Sequence, residues 1–182
     1  IQTVQSVHII NSDFLYNKAV SEQDTSNGGV LEIQEINGDV VIESSNFMRN
    51  MVWSSIGPSV GSALQLSDAL SVSITKTCFE SNLAQSYYSY SFGTVNIATV
   101  HESVRLEQVK FLNNSANSYF SYTIGGAVKI QLAQSVHIFD SDFLQNKAVS
   151  NQASVKGGCV AIGDVSNEVE IDFSTFTGNI AE

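Results

Sequence analysis

Apolar and polar residues alternate along this chain in short segments that return at a nearly constant interval. The clearest copy is VHIFDSDFLQNKA at 136–148, with the skeleton V-x-[IL]-x-x-[ST]-x-F-x-x-N-x-[AV]. The phenylalanine of this skeleton recurs in steps of 33, 32, 32, 32 and 33 residues, at Phe14, Phe47, Phe79, Phe111, Phe143 and Phe176. A repeat of this length predicts a solenoid in which each copy forms one coil.

A second recurring piece lies between these copies, and its apolar residues also alternate with polar ones. Its apolar pairs are Leu31/Ile33, Leu64/Leu66, Val95/Ile97, Val128/Ile130 and Val160/Ile162. Each period therefore holds three short segments with the period-2 pattern of half-buried strands, separated by Gly, Asn and Ser turn signals. Strands this short pair with their equivalents in the next repeat. The sequence predicts an all-β solenoid of parallel strands, with about 32 residues and three short strands per coil and nearly six coils.

An asparagine follows each repeated phenylalanine by three residues. In the predicted solenoid the apolar residues point inward and stack on their own kind, and the asparagine lies where the chain turns out of a strand. Stacked asparagine side chains can satisfy turn backbone groups through their amides. We therefore predict a structural ladder formed by Asn17, Asn50, Asn82, Asn114, Asn146 and Asn179.

The two motifs together resemble a known repeat family. F-x-x-N is seen in Phe143 to Asn146, and G-G-A-[ILV] is seen in Gly125 to Val128. This pair is similar to the repeats of the polymorphic outer membrane proteins, within the pectate-lyase-like right-handed parallel β-helix superfamily, and the resemblance covers the entire chain. It implies a right-handed parallel β-helix, and it implies the surface-exposed adhesive or structural roles in which such coils often occur.

A longer duplication is superimposed on the coils. An ungapped offset of 129 aligns residues 1–53 with 130–182, and segments 5–21 and 134–150 differ at only three of seventeen positions. This predicts a four-coil block at 1–129 followed by a partial second block at 130–182. We interpret residues 1–182 as a single β-helix domain and as a window on a longer array.

Charge narrows the range of partners. The chain has eight Lys and Arg and eighteen Asp and Glu, which gives a net charge of −10. This balance argues against nucleic acid or an anionic membrane surface as a partner. The segment contains no apolar run of membrane-spanning length, which predicts no membrane insertion.

The motifs give little support to an enzyme, although polysaccharide lyases and hydrolases share this fold class. Such enzymes need clustered acidic residues on neighbouring coils with a basic residue nearby. No two carboxylates are adjacent in the position before the repeated phenylalanine, which reads Asp13, Asn46, Cys78, Lys110, Asp142 and Thr175. His8 and His137 occupy equivalent outward positions in different blocks, and His101 has only Glu102 beside it. We predict no catalytic residue, no metal site and no cofactor.

Aromatic residues concentrate in two loops that lie one coil apart. Five of the six tyrosines of the chain fall there, and the equivalent loops of other coils are polar. Three pairs stand 32 residues apart and would stack: Tyr87/Tyr119, Tyr88/Phe120 and Tyr90/Tyr122. Two interpretations stay open, since the loops can simply pack on each other, or they can form an exposed contact with another rod or a platform for a sugar.

These patterns lead to a functional hypothesis. We predict a non-enzymatic structural or adhesive repeat of an extracellular or cell-surface rod or filament, which assembles with copies of itself end to end or laterally. A carbohydrate-binding surface module is the alternative, with glycans or cell-surface molecules as partners, and a polysaccharide lyase or hydrolase is less favoured. The triplet Asn113-Asn114-Ser115 makes Asn113 a candidate N-glycosylation acceptor, which fits this location.

Overall fold

The computed structural model describes residues 5–182, and its regular secondary structure there consists entirely of β-strands. Residues 1–4 of the predicted first block lie outside the described residues. In chain order the strands are β1 Val7–Ile10, β2 Asp13–Leu15, β3 Lys18–Ser21, β4 Ser26–Asn27, β5 Leu31–Ile33, β6 Asp39–Glu43, β7 Asn46–Met48, β8 Met51–Ser54, β9 Ser59–Val60, β10 Leu64–Ala69, β11 Ser71–Thr75, β12 Cys78–Glu80, β13 Leu83–Ser86, β14 Ser91–Phe92, β15 Val95–Val100, β16 Ser103–Glu107, β17 Lys110–Leu112, β18 Ser115–Ser118, β19 Thr123–Ile124, β20 Val128–Phe139, β21 Asp142–Leu144, β22 Lys147–Ser150, β23 Val155–Lys156, β24 Val160–Asp172, β25 Thr175–Thr177 and β26 Ile180–Ala181.

The strands pair in parallel with their equivalents one coil away and form four sheets. The first sheet has nine strands in the order β1-β6-β11-β16-β20-β15-β10-β5, with β24 on β20. The second has the order β2-β7-β12-β17-β21-β25, the third β26-β22-β18-β13-β8-β3 and the fourth β23-β19-β14-β9-β4. The predicted all-β parallel solenoid is therefore confirmed. Its architecture is consistent with the right-handed parallel β-helix that the resemblance implies.

The coil has more strands than its sequence pattern predicts. The second coil, for example, contains the five strands β6 to β10 on four sides, whereas the pattern predicts three strands. The additional side consists of two-residue strands such as Ser59–Val60, and two residues are too few to show alternation. The solenoid makes about five turns, since six phenylalanine positions enclose five intervals.

The interior is a set of ladders of like residues. The phenylalanine of each coil lies over the next, with ring centroids 4.7 to 5.0 Å apart and interplanar angles of 3° to 13°. Aliphatic residues at equivalent positions of successive repeats pair in register, as in Val72 with Val104 and Ile74 with Leu106. In the internal coils these side chains are buried, and their stacking removes from water the apolar surface that a single coil would leave exposed.

Two columns of residues with positive φ turn the chain at the corners of the second sheet. One column precedes the second-sheet strands and comprises Asn11, Ser44, Lys76, Gln108, Asp140 and Phe173. The other follows those strands and comprises Tyr16, Arg49, Ser81, Asn113, Gln145 and Gly178. A left-handed residue at the same place in every coil gives all coils the same corner. Within residues 5–182 the structure has no helix long and apolar enough to cross a membrane.

Candidate interaction surface

Serine side chains hold the two aromatic loops in place. The first loop follows β13 and the second follows β18, and each of these strands ends in a buried serine. Ser118 Oγ donates to the carbonyl of Ser89 in the preceding coil at 2.7 Å, and accepts from the N–H of Ser121 at 3.0 Å. Ser86 makes the equivalent pair of bonds, donating to the carbonyl of Gly57 in the preceding coil at 2.9 Å and accepting from the N–H of Ser89 at 3.1 Å. The loops therefore have fixed conformations and stack in register.

Four rings form a double row, which we call the aromatic strip: Tyr87, Tyr88, Tyr119 and Phe120. Tyr87 stacks on Tyr119 with centroids 5.0 Å apart, and Tyr88 stacks on Phe120 at 5.3 Å. Within each coil the two rings meet edge to face, at 4.7 Å in both cases. The rings thus support one another along and across the solenoid.

The remaining pair of the six predicted interface residues belongs to a separate ring group. Tyr90 stacks on Tyr122 at 5.2 Å and on Phe92 at 4.6 Å. Burial is the larger cause that raises the pKa of Tyr122, and the neighbouring Tyr90 is the smaller one. The phenol of Tyr122 is therefore neutral at physiological pH. Sequence alone could not separate these two groups, since the direction in which each ring leaves its loop depends on local backbone geometry.

The loops pack on each other and still leave apolar surface exposed. Tyr88 is 58% exposed and Phe120 is 39% exposed, although both rings are stacked. Tyr87 and Tyr119 are exposed as well. Both interpretations of the sequence therefore describe part of the structure, because one side of each ring makes an internal contact and another side faces solvent.

The repeated asparagines form a continuous hydrogen-bonded column. Asn82 Oδ1 accepts from the backbone N–H of Asn50 at 2.9 Å and from its Nδ2 at 3.0 Å. Asn82 Nδ2 donates to the carbonyl of Phe47 at 2.8 Å and to Asn114 Oδ1 at 3.0 Å. The same pattern links Asn17 through Asn179, and the four central members are buried. The column gives hydrogen-bond partners to backbone N–H and carbonyl groups at a corner of the coil, which is a structural role.

Asn113 lies next to this column but faces outward. It is exposed, has a φ of 54°, and occupies the turn between β17 and β18. Its backbone N–H donates to the carbonyl of Leu144 at 3.0 Å. Its side chain is therefore accessible at a turn, as an acceptor for N-glycosylation must be.

Two histidines have acidic partners that the linear sequence did not reveal. His101 Nε2 lies 2.9 Å from Asp68 Oδ1, so the prediction that only Glu102 stands beside it is wrong. His137 Nδ1 lies 3.2 Å from Glu170 Oε2, and its Nε2 lies 3.8 Å from Glu168. His137 and Glu170 are register partners on adjacent strands, so the 33-residue offset of the repeat could have predicted that pair. The described residues contain no group of three or more His, Cys, Asp or Glu able to hold a metal ion.

The outward position before each phenylalanine also forms a ladder. Asp13 accepts from Asn46 Nδ2 at 2.7 Å, and Asp142 accepts from Thr175 Oγ1 at 2.6 Å. Cys78 stands between Asn46 and Lys110 in this column, and burial raises the pKa of its thiol. The two carboxylates lie four coils apart along the column, with neutral or basic neighbours.

Comparison with protein-family models, with curated proteins and with solved structures found no match for this chain. The observations that bear on function are therefore those of the molecule itself: a regular solenoid, a column of buried amides and an exposed aromatic strip.

Proposed function

We propose that this chain is a non-enzymatic structural or adhesive segment of an extracellular or cell-surface rod or filament. The observation that carries the proposal is the aromatic strip, which places four partly exposed rings on one side of a regular solenoid. Exposed clusters of tyrosine and phenylalanine are typical of contact surfaces, because they bury much apolar area at low cost in side-chain entropy.

The solenoid supports a mechanical role. Every internal coil pairs in parallel with both neighbours through equivalent residues, as β12 does with β7 and β17. A coil of another copy with the same cross-section can continue such a ladder, since the backbone groups of a strand edge pair with any strand in register. Self-association along the axis, together with lateral contact through the strip, would build a rod or filament.

A double substitution tests the lateral contact. Tyr88→Ser with Phe120→Ser removes the row of the strip that contains its most exposed ring, and it introduces small polar residues that resemble the loops of other coils. We expect lateral association, measured by sedimentation velocity and electron microscopy, to be lost while the β-rich circular dichroism spectrum is kept.

Tyr16→Ser is the matched control, because Tyr16 is an exposed tyrosine outside the strip. Its association should equal that of the unsubstituted chain. Unchanged assembly of the double variant, or an equal loss in the control, would remove the strip from the proposal.

A carbohydrate-binding module is the second candidate, and the partly exposed rings of Tyr88 and Phe120 favour it. Rings of this kind stack on sugar faces, so glycans would quench tyrosine fluorescence and the same double substitution would abolish the quenching. Release of reducing or unsaturated ends from acidic polysaccharides would instead support a lyase or hydrolase. Glycan mass on a peptide that contains Asn113 would support passage through a secretory pathway.

A further inference from the structure

Two outward columns meet at a concave corner between the fourth sheet and the first sheet. We call this the corner groove. The fourth sheet contributes the column Asn27, Val60, Phe92, Ile124 and Lys156, and the first sheet contributes the column Glu32, Gln65, Asn96, Lys129 and Ala161. Side chains reach across it, since Asn27 Nδ2 donates to Glu32 at 3.1 Å and Lys129 Nζ lies 4.0 Å from the centroid of the Phe92 ring.

The middle of the corner groove is filled. Gln65, Asn96 and Lys129 are 8%, 3% and 7% exposed although they point away from the core. Asn96 Nδ2 donates to Gln65 Oε1 at 2.6 Å, and Lys129 Nζ donates to Gln131 Oε1 at 3.0 Å. Lys129 is therefore a cation placed in an apolar and amide environment, and within residues 5–182 its one hydrogen-bond acceptor is Gln131 Oε1.

The groove opens immediately beyond Lys129. A cavity of about 440 Å³ lies there, lined by Ile124, Lys129, Gln131, Lys156, Ala161 and Gly163 among others. A neighbouring cavity of about 250 Å³ shares Ile124 and Lys156 and adds Tyr122. Positions 161 and 163, which line this space, carry Ala and Gly, whereas other coils carry larger residues there.

The first block of the chain carries an exposed carboxylate at the corresponding place. At the offset of 129 residues, Ala161 corresponds to Glu32, Gly163 to Gln34 and Lys156 to Asn27. The Glu32 carboxylate accepts hydrogen bonds from Asn27 Nδ2 at 3.1 Å and from Gln34 Nε2 at 2.5 Å. The second block thus has no carboxylate at this position, and the place of that side chain is open. Where the first block has the amide donor Asn27, the second block has the ammonium group of Lys156.

We propose that these two adjoining cavities together bind a small organic carboxylate, with its charged group between Lys129 and Lys156 and its apolar body against Ile124 and Tyr122. The bound carboxylate would occupy the position that Glu32 fills in the first block. The site is separate from the aromatic strip and adds a ligand-binding activity to the proposed structural role.

The electrostatics of the cavity favour an anion. Burial lowers the pKa of Lys129 to about 8, because the ammonium group has lost most of its water. Lys129 and Lys156 are the charged side chains that line the two cavities, and the pKa of Tyr122 is raised, so its phenol stays neutral. A carboxylate would supply Lys129 with a charged acceptor in addition to Gln131 Oε1, and charge-assisted hydrogen bonds of this kind are strong.

The test uses phenylacetate as the probe and phenylacetamide as its neutral counterpart. Binding of each compound to the intact chain is measured by calorimetry and by NMR. We expect saturable binding of phenylacetate only, and a loss of about tenfold or more in affinity for Lys156→Gln. Ala161→Glu restores the internal carboxylate of the first block and should abolish binding. Lys110→Gln, an exposed lysine on the second sheet, should leave affinity unchanged.

Raising the pH gives an independent readout. The affinity for phenylacetate should fall as the pH rises past about 8, because Lys129 then loses its proton. This fall should be smaller in the Lys129→Met variant, which keeps an apolar side chain over the Phe92 ring. Equal binding of phenylacetamide, an unaffected Lys156→Gln variant, or no binding at millimolar phenylacetate would overturn the proposal. A flat pH profile would remove Lys129 from the site.

Discussion

At the scale of single residues, the asparagine column shows how one side chain satisfies a corner of the fold in every coil. In the example of Asn82, the side-chain amide accepts two hydrogen bonds and donates two. One of the donors to it is the buried backbone N–H of Asn50, which lies outside the strands. No apolar residue of similar size could do this, since a buried unpaired backbone group costs about 1 to 3 kcal/mol. The spacing F-x-x-N predicted the column, while the particular carbonyl that each amide reaches became visible only in the structure.

Asn82→Ala should destabilise the fold severely. The substitution removes the side-chain acceptor of the Asn50 N–H and the amide donor to the Phe47 carbonyl in the interior, so we expect a loss of about 3 kcal/mol in the free energy of unfolding. Urea unfolding followed by circular dichroism would measure it. Asn117→Ala, at an outward position, should cost far less, and equal effects of the two substitutions would contradict the structural role of the column.

At the scale of strands and turns, the corners depend on left-handed residues that have no common side chain. The column after the second-sheet strands contains tyrosine, arginine, serine, asparagine, glutamine and, at one position, Gly178. Sequence patterns detect such turns through glycine or asparagine, so most of this column gave no signal. Its conformation is imposed by the strands on either side and by the coil beneath.

Gln145 provides a direct test of that constraint. Its φ is 55° and its side chain is exposed, so substitutions there act mainly through the backbone. Gln145→Val should destabilise by about 1 to 2 kcal/mol, because a β-branched residue tolerates the left-handed region poorly. Gln145→Gly, which matches Gly178 in the next coil, should be tolerated. Thermal unfolding would compare them, and equal melting temperatures would show that the corner relaxes.

At the scale of the whole molecule, the solenoid is a one-dimensional stack. Each coil contacts its neighbours and little else, so a local defect should spread over adjacent coils rather than through the entire chain. This differs from a compact globular core, where most elements share one interior. The aromatic strip and the corner groove depend on the same stacking, since both combine residues about 32 positions apart.

Phe111→Ala tests this behaviour. The ring is fully buried between Phe79 and Phe143, and its removal should cost about 3 to 5 kcal/mol. Hydrogen exchange measured by mass spectrometry should show lost protection concentrated in β12, β17 and β21. Phe173→Ala is the control, since that ring is exposed, and a uniform loss of protection along the chain would contradict the one-dimensional description.

The sequence by itself determined the fold class, the length of the coil and the identity of the inward ladders. It could do so because stacked coils must repeat the same buried residues at the same positions, and repetition is directly visible in a sequence. The alignment of Tyr88 with Phe120 followed from the same 32-residue spacing.

Only the tertiary structure decided where side chains from different columns meet. The fourth sheet consists of two-residue strands, the pair of His101 with Asp68 crosses between coils, and the corner groove joins two sheets. These contacts depend on the angle at each corner, which left-handed residues of varied identity produce. A periodic pattern specifies which residues stack along the axis, whereas the shape of the cross-section determines which columns face each other.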